Sequence, residues 1–279
     1  MMTVFIAAAI LGVLGLVFGL VLTFADKKFR VHVDERIEKV RACLGGANCG
    51  ACGYTGCDGF AEAVVKGEVK PNACLPAGEK GVKAIAEIMG VDAEVEEQKI
   101  PRVLCSGRIG VAFTRYRYDG YKSCAVADSL AGGPKMCRFS CVGLGDCMDH
   151  CVMGAIKIVD GLAEIDYTKC IACGECAKHC PRGTIKMLPE SQSVYVNCRN
   201  TDNAREAKAV CMSACIGCGR CKRECKYDAI YIENFFAHID PDKCTRCGAC
   251  AKVCPCSSIK DLINGLNRRN DFANRRRVQ

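Results

Sequence analysis

Residues 170–181 read CIACGECAKHCP, and residues 244–255 read CTRCGACAKVCP. Both stretches have the pattern C-x2-C-x2-C-x3-C-P, and position 244 is position 170 shifted by 74. The same offset carries three earlier cysteines onto three later ones, namely Cys141, Cys147 and Cys151 onto Cys215, Cys221 and Cys225. The chain therefore contains one cysteine-rich unit twice.

The spacing within each unit is typical of cysteines that bind a [4Fe–4S] cluster. One tight C-x2-C-x2-C loop supplies three thiolates, and in two-cluster ferredoxins the last Cys of each run serves the other cluster. Zinc ribbons use paired CxxC motifs and disulfides belong mainly to secreted chains, so neither alternative explains three-Cys loops with a distant fourth Cys. We predict two tandem bacterial-type 2[4Fe–4S] ferredoxin modules and a function in electron transfer.

The second unit offers two complete ligand sets. We predict that Cys215, Cys218 and Cys221 bind one cluster with Cys254, and that Cys244, Cys247 and Cys250 bind another with Cys225.

The first unit departs from this pattern, because Leu144 stands where the second unit has Cys218. Cys137 lies shortly before Cys141 and is predicted to replace the missing ligand, which makes Cys211 redundant. The predicted sets are Cys137, Cys141, Cys147 and Cys180 for one cluster, and Cys151, Cys170, Cys173 and Cys176 for the other.

The duplication extends beyond the cysteines. Residues 155–158 and 163–166 match residues 229–232 and 237–240, and the four segments alternate in the manner of short strands. They predict one β-hairpin per module and an α+β fold class.

A different cysteine cluster lies upstream, where Cys49, Cys52 and Cys57 are followed by a distant Cys74. Glycines interleave these residues, as a backbone that wraps a cofactor requires. A structural zinc site is the alternative; we predict a fifth [4Fe–4S] cluster. Apolar residues at helical spacing predict flanking helices, with Phe60, Ala63 and Val64 in one and Val82, Ile85, Ala86 and Met89 in another.

The N-terminal segment 1–25 carries no charged side chain and is long enough to span a bilayer. A signal peptide would carry basic residues before its apolar stretch, whereas Lys27, Lys28 and Arg30 follow it. These cations predict a single-pass anchor in the cell membrane with the N-terminus outside and the cluster domains in the cytoplasm. Ala8, Gly12, Gly15 and Gly19 share one helix face, which is either a packing stripe against another membrane protein or the ordinary glycine content of such helices.

Shifts in composition give the predicted boundaries. The segment DAEVEEQK from residue 92 is acidic and poor in apolar residues, and the C-terminal tail is rich in arginine. We predict an anchor (1–25), an N-terminal [4Fe–4S] domain (26–91), a linker (92–100), a first ferredoxin module (101–190), a second module (191–263) and a basic tail (264–279).

Six cysteines remain unassigned: Cys43, Cys105, Cys124, Cys198, Cys211 and Cys256. Cys124 and Cys198 are themselves related by the offset of 74, so we interpret them as inherited, small buried residues rather than as a further metal site. His150 and His179 each adjoin a predicted ligand. We interpret them as structural, because the cysteine sets are already complete.

The charge of the chain excludes one class of partner. Its formal net charge is +8, but five oxidised clusters with their thiolates add about −10 and bring the loaded protein to about −2. General attraction to nucleic acid is not expected. No Walker loop, GxGxxG motif or Ser-His-acid set occurs, so we predict neither a nucleotide site nor a hydrolytic one.

The N-terminal span is followed in order by LGGANCGACGYTGC (residues 44–57), GPKMCRFSCVGLGDCMDHC (133–151) and CIACGECAKHCP. This series resembles the B-subunit family of the Rnf complex, the membrane-bound ferredoxin:NAD oxidoreductase. Gly45 stands where the family often has Pro, and a second module is typical of its longer forms. The resemblance implies that reduced ferredoxin is the electron donor and that other membrane subunits are the acceptors. It also implies that NAD, flavin and the translocated Na⁺ or H⁺ bind to partners.

Two other functions fit parts of the pattern. A related membrane complex could send electrons to a regulator or low-potential acceptor, although a single-module chain would suit that better. A polyferredoxin subunit of a hydrogenase-type enzyme would be cytosolic, which the uncharged segment 1–25 disfavours.

Overall fold

The computed structural model describes residues 2–29, 34–92 and 97–263. Helix α1 runs from Met2 to Phe29 and is the one described helix that is long and apolar enough to cross a membrane by length and composition. Its described side chains are exposed almost throughout. The side chain of Ala8, residues 30–33, half of the acidic segment (93–96) and the basic tail (264–279) lie outside the described residues.

The N-terminal cysteine cluster lies in a small helical unit. Helices α2 (Glu35–Ala42), α3 (Cys57–Val65) and α4 (Gly78–Met89) surround it, with 3-10 turns at Pro71–Ala73 and Leu75–Ala77. The core contains Val40, Phe60, Val64 and Ile85, each at most 2% exposed. The predicted helical spacing is therefore confirmed, because these side chains recur on the buried faces of α3 and α4.

The first cysteine-rich unit combines a strand pair, a hairpin and short helices. Strand β1 (Lys99–Val103) pairs antiparallel with β4 (Ile185–Pro189), and β2 (Ile156–Val159) forms a hairpin with β3 (Leu162–Ile165). The helices are α5 (Cys124–Ala131), α6 (Asp146–Asp149) and α7 (Glu175–Lys178). Strand β1 begins inside the segment predicted as a linker.

The second unit repeats this plan. Strand β5 (Val194–Val196) pairs antiparallel with β8 (Ile259–Asp261), and β6 (Ile230–Glu233) forms a hairpin with β7 (Phe236–Ile239). Its helices are α8 (Ala204–Val210), α9 (Arg220–Glu224) and α10 (Ala249–Val253). Both predicted hairpins are thus confirmed.

Equivalent glycines bring each cysteine loop against its own hairpin. Gly143 and Gly217 have φ of 86° and 60°, and a Cβ at either would overlap backbone atoms of the hairpin turn, at Gly161 and Phe235 respectively. Only glycine combines this backbone conformation with so close an approach. The hairpin therefore fixes where the ligand loop lies.

Candidate metal centres

The structure brings the four predicted N-terminal ligands together. Cys49, Cys52, Cys57 and Cys74 line one cavity, walled by the glycine-rich loop and by Phe60. Asn48 holds the loop to the start of α3, because its side-chain oxygen accepts a hydrogen bond of 2.9 Å from the backbone N–H of Cys57. Burial raises the pKa of the Cys74 thiol to about 11.

In the second unit the cysteines of each predicted ligand set line one cavity. One is lined by Cys215, Cys218, Cys221 and Cys254, and the other by Cys225, Cys244, Cys247 and Cys250. The last Cys of each run, Cys225 or Cys254, thus lies with the three-Cys loop of the other run.

The last cysteines of three of the four runs share one hydrogen-bond geometry. The sulfurs of Cys151, Cys180 and Cys254 each accept a backbone N–H from four residues later, at 3.2 to 3.3 Å. Such bonds favour the thiolate over the thiol and are one means by which a protein sets a cluster potential.

Within the first unit, Cys176 lies among the other three residues of its predicted set. Burial, followed by the neighbouring Cys170, Cys173 and Cys151, raises the pKa of its thiol to about 12. These four thiols therefore lie close together.

In the other set of the first unit, a thiol from outside the predicted set lies beside Cys147. Burial, followed by the neighbouring Cys141, Cys124, Cys180 and Cys176, raises the pKa of Cys147 to about 12, and Cys137 is not among these neighbours. Cys124 forms a small core with Ala127 and Val142, and Leu144, the residue that replaces the missing ligand, packs against this core. Cys124 is therefore a candidate for the fourth ligand.

Asp146 explains how a residue so distant in sequence reaches this loop. Its carboxylate accepts hydrogen bonds from the backbone N–H groups of Cys124 (2.6 Å) and Ala125 (3.0 Å) and from the hydroxyl of Ser123 (3.1 Å). An acidic side chain at the first turn of a helix is favourable for the same reason as a helix cap. Since Asp146 adjoins Cys147, this cap fixes the start of α5 beside the loop.

Cys137 faces a different cavity, which it shares with Cys105, Cys198 and Cys211. Cys211, which was predicted to be redundant, therefore lines the same cavity as Cys137. The equivalence of Cys124 and Cys198 is wrong: Cys124 begins a helix, whereas Cys198 follows strand β5 in an extended segment.

Four further residues considered in the sequence analysis do not belong to the predicted ligand sets. Cys43 ends α2 and Cys256 lies at the rim of the Cys215 cavity. The rings of His150 and His179 stack with centroids 3.6 Å apart, and each Nδ1 lies within hydrogen-bond distance of a backbone carbonyl four residues earlier.

Three segments match known families. Residues 44–76 match the family described as "Putative Fe-S cluster", residues 163–186 match a 4Fe-4S binding domain, and residues 214–258 match a 4Fe-4S dicluster domain. These matches cover the N-terminal site and part of each duplicated unit.

Three relatives match over most of the chain. The B subunit of the Na(+)-translocating ferredoxin:NAD(+) oxidoreductase complex of Acetobacterium woodii is 42% identical over 92% of this chain and 77% of its own length. The B subunit of the ion-translocating oxidoreductase complex of Methanosarcina acetivorans is 38% identical over 90% and 96%. The corresponding proton-translocating protein of Clostridium ljungdahlii is 37% identical over 98% of each chain.

The chain belongs to the B-subunit family of the Rnf complex. With its 4Fe-4S domains it is an electron-transfer subunit of that membrane oxidoreductase.

The arrangement of thiols in this Rnf protein suits clusters better than the zinc alternative. All 26 cysteines are free of disulfides. Cysteines stand around the cavities described above in sets of four, as a [4Fe–4S] cluster requires.

Proposed function

We propose that this chain conducts electrons from reduced ferredoxin to the membrane subunits of an Rnf complex, where NAD reduction is coupled to Na⁺ or H⁺ movement. The names of the relatives support the reaction, and they differ in the translocated ion. A bound [4Fe–4S] cluster takes up and releases one electron at a time. The observation that carries the proposal is the presence of several cysteine-lined sites in one chain, with close contacts between neighbouring sites within each unit.

Five of the proposed sites have these ligands: Cys49, Cys52, Cys57 and Cys74 (site 1); Cys124, Cys141, Cys147 and Cys180 (site 2); Cys151, Cys170, Cys173 and Cys176 (site 3); Cys215, Cys218, Cys221 and Cys254 (site 4); Cys225, Cys244, Cys247 and Cys250 (site 5). Site 2 is revised from the sequence-based set by exchanging Cys137 for Cys124.

Neighbouring sites touch through their ligands. Cys49 of site 1 is close enough to Cys173 of site 3 to raise the pKa of that thiol, after the larger effect of burial. The ammonium of Lys178, in the same unit as site 3, donates to the carbonyl of Ala51 at 3.0 Å. This contact holds the N-terminal domain against the first module.

Two further contacts continue the series. Cys147 of site 2 packs in one cluster with Cys176 of site 3. Cys221 of site 4 packs in another with Cys250 of site 5. Electron transfer falls steeply with distance, so ligand contact between successive sites favours conduction along the chain.

The far end of the series has the features of a docking site for a soluble donor. Among the 26 cysteines, Cys218 and Cys247 of sites 4 and 5 are the exposed ones. The segment 218–226 carries four exposed basic residues (Arg220, Lys222, Arg223, Lys226) against one acidic residue, Glu224. The segment 243–252 carries three more (Lys243, Arg246, Lys252) and no acidic residue. An acidic electron carrier would be steered to this surface.

The opposite end of the series, site 1, is the one nearest to α1 in the sequence. We propose that α1 anchors the chain with its N-terminus outside the cell, since Lys27 and Lys28 end the helix on the side of the cluster domains. Gly12, Gly15 and Gly19 have no heavy atom within 4 Å of an added Cβ. With Ala8 they would form a smooth face for another membrane subunit.

The substitution Cys52→Ala tests the order of the sites. In the complete complex, this variant should lose about four iron atoms, and ferredoxin should still reduce the remaining sites. Ferredoxin-driven NAD reduction should be lost, because site 1 is the last step before the membrane. Cys43→Ala removes a nearby thiol outside the ligand sets and serves as the control. Normal NAD reduction in Cys52→Ala would show that site 1 is not on the path.

A further inference from the structure

A buried cavity lies between the two duplicated units and is lined by Cys105, Cys137, Cys198 and Cys211. The four side chains are 6 to 9% exposed. Nothing in the five sites above uses them. A lone buried Cys is an ordinary core residue, but four that converge on one cavity require an explanation.

Each unit contributes two of the four residues in the same way. Cys105 follows strand β1 by two residues, and Cys198 follows the equivalent strand β5 by two residues. Cys137 and Cys211 each lie four residues before the first Cys of a ligand loop. The cavity therefore has approximate twofold symmetry, with one pair of thiols from each unit.

The sulfurs are hydrogen-bonded like those of the proposed ligands. Cys105 accepts the N–H of Gly107 at 3.2 Å, and Cys198 accepts the N–H of Asn200 at 3.4 Å. The same bond from two residues later is made to Cys170, Cys173 and Cys215, which belong to sites 3 and 4. In addition, the side-chain amide nitrogen of Asn200 lies 3.7 Å from the sulfur of Cys137.

Buried cations stand beside the cavity. The ammonium of Lys135, itself 3% exposed, donates to the carbonyls of Gly107 (2.7 Å) and Cys141 (2.8 Å) and to that of Gly161. The guanidinium of Arg182, whose side chain is 5% exposed, donates to the carbonyls of Cys137 (3.1 Å) and Ser140 (2.9 Å). A buried anion is costly unless charges of opposite sign are near. Lys135 supplies such a charge, and Arg182 supplies one that it shares with the carboxylate of Asp128 at 2.7 Å.

We propose that Cys105, Cys137, Cys198 and Cys211 bind a sixth [4Fe–4S] cluster at the interface of the two ferredoxin modules. This inference deepens the proposed function and rests on it for the role of the cluster in conduction. Its ligand set rests only on the cavity and its hydrogen bonds.

The position of this sixth site explains how electrons cross between modules. The N–H of Cys141, a ligand of site 2, donates to the sulfur of Cys105 at 3.4 Å. The N–H of Cys215, a ligand of site 4, donates to the sulfur of Cys198 at 3.3 Å. The sixth site thus bonds directly to the loops on either side, and the full order becomes 1, 3, 2, 6, 4, 5. Each site takes one electron from its neighbour and passes one on, with reduced ferredoxin as the source.

Iron analysis of the anaerobically purified full-length chain tests the inference. The wild type should hold about 24 iron atoms, and Cys105→Ala and Cys211→Ala should each lose about four. The double variant should also lose about four, because both residues serve one site. Cys43→Ala and Cys256→Ala are matched controls, since they remove cysteines outside the six sets, and should lose none.

Two outcomes would overturn it. One is a wild-type content of about 20 iron atoms that neither Cys105→Ala nor Cys211→Ala reduces. The other is additive loss in the double variant, which would place the two residues in separate sites. EPR spectra of the reduced variants provide a second measurement, in which the signals of sites 1 and 5 should persist. Iron content does not depend on ferredoxin or NAD, so a failure here is distinct from a failure of the proposed function.

Discussion

Lys135 has no counterpart in the second unit, where Ala209 occupies the equivalent position. Its three N–H groups are used by three backbone carbonyls, which satisfies every donor of an ammonium ion. Burial lowers its pKa, and the neighbouring Cys141 and Cys105 oppose that shift. A fixed positive charge therefore lies between sites 2 and 6.

We expect Lys135→Met to lower the reduction potentials of those two sites, because a cation stabilises the more negative, reduced form. At an effective dielectric constant of about 20 and a separation of about 8 to 10 Å, the interaction is roughly 2 kcal/mol, or on the order of 50 to 100 mV. An EPR-monitored redox titration measures this shift. Lys157→Met, at an exposed position of β2, should leave the potentials unchanged. Unaltered potentials in Lys135→Met with full iron content would contradict the expectation.

Among the helices and strands, α5 is the element that distinguishes the first unit from the second. The offset from Cys105 to Cys198 is 93, whereas the cysteine loops repeat at an offset of 74. The additional residues of the first unit include α5, which supplies Cys124 where the second unit uses Cys218 from its own loop. One insertion thus accounts for the missing loop ligand and for the shift in register.

The substitution Asp146→Ala should release α5 and lower the occupancy of site 2. Burial opposes the ionisation of Asp146, but hydrogen bonds from Cys124, Ala125 and Ser123 outweigh it and lower the pKa of the carboxyl. The ionised Asp146 carboxylate therefore contributes its full stabilisation of the folded state above the ordinary Asp pKa of about 3.9. This stabilisation is lost as the pH falls through the lower pKa of Asp146 in the folded protein. We expect wild-type iron content to be constant near neutral pH and the variant to lose up to about four iron atoms.

Asp149→Ala is the matched control for that change. Asp149 lies on the same short helix and is exposed, and the described contacts assign it no bond to α5. Equal iron loss in the two variants would show that the cap on α5 is not what positions Cys124.

The sequence predicted what depends on local spacing. The ligand loops, the exchange of Cys225 and Cys254, the hairpins and the N-terminal helices all follow from short-range patterns that repeat. The placement of Cys124 could not be predicted in this way, because it depends on a contact between Asp146 and a helix that begins much earlier in the chain. The equivalence of Cys105 and Cys198 was not recognised from the sequence, because these residues are 93 positions apart and the cysteine loops repeat at 74. The local likeness of Val103-Leu104-Cys105 to Val196-Asn197-Cys198 was the available signal.

For the whole molecule, the proposed series runs from the anchor to a basic, exposed end. The corresponding loop of the first module carries Asp146 and Asp149 where the second has Arg220 and Arg223. Asp149 is exposed and Asp146 caps α5, so this loop of the first module offers no exposed positive charge at these two positions, whereas Arg220 and Arg223 are both exposed.

The double variant Arg220→Glu/Arg223→Glu should raise the KM for ferredoxin about tenfold or more and weaken the dependence of the rate on salt, because steering by charge is screened by ions. Steady-state ferredoxin oxidation at several ionic strengths measures both effects. Lys157→Glu reverses an exposed charge on the first module and should change neither. A KM that responds equally to both variants would place the docking surface elsewhere.

The interleaving of the proposed ligands has a consequence for biosynthesis. A site can close only when its last cysteine has left the ribosome, and a chain folds from its N-terminus as it is made. The last ligands are Cys74 for site 1, Cys176 and Cys180 for sites 3 and 2, Cys211 for site 6, and Cys250 and Cys254 for sites 5 and 4. The nascent chain can therefore acquire its clusters in order from site 1 towards sites 4 and 5. A chain truncated by early termination would still contain complete sites at its N-terminal, membrane-proximal end.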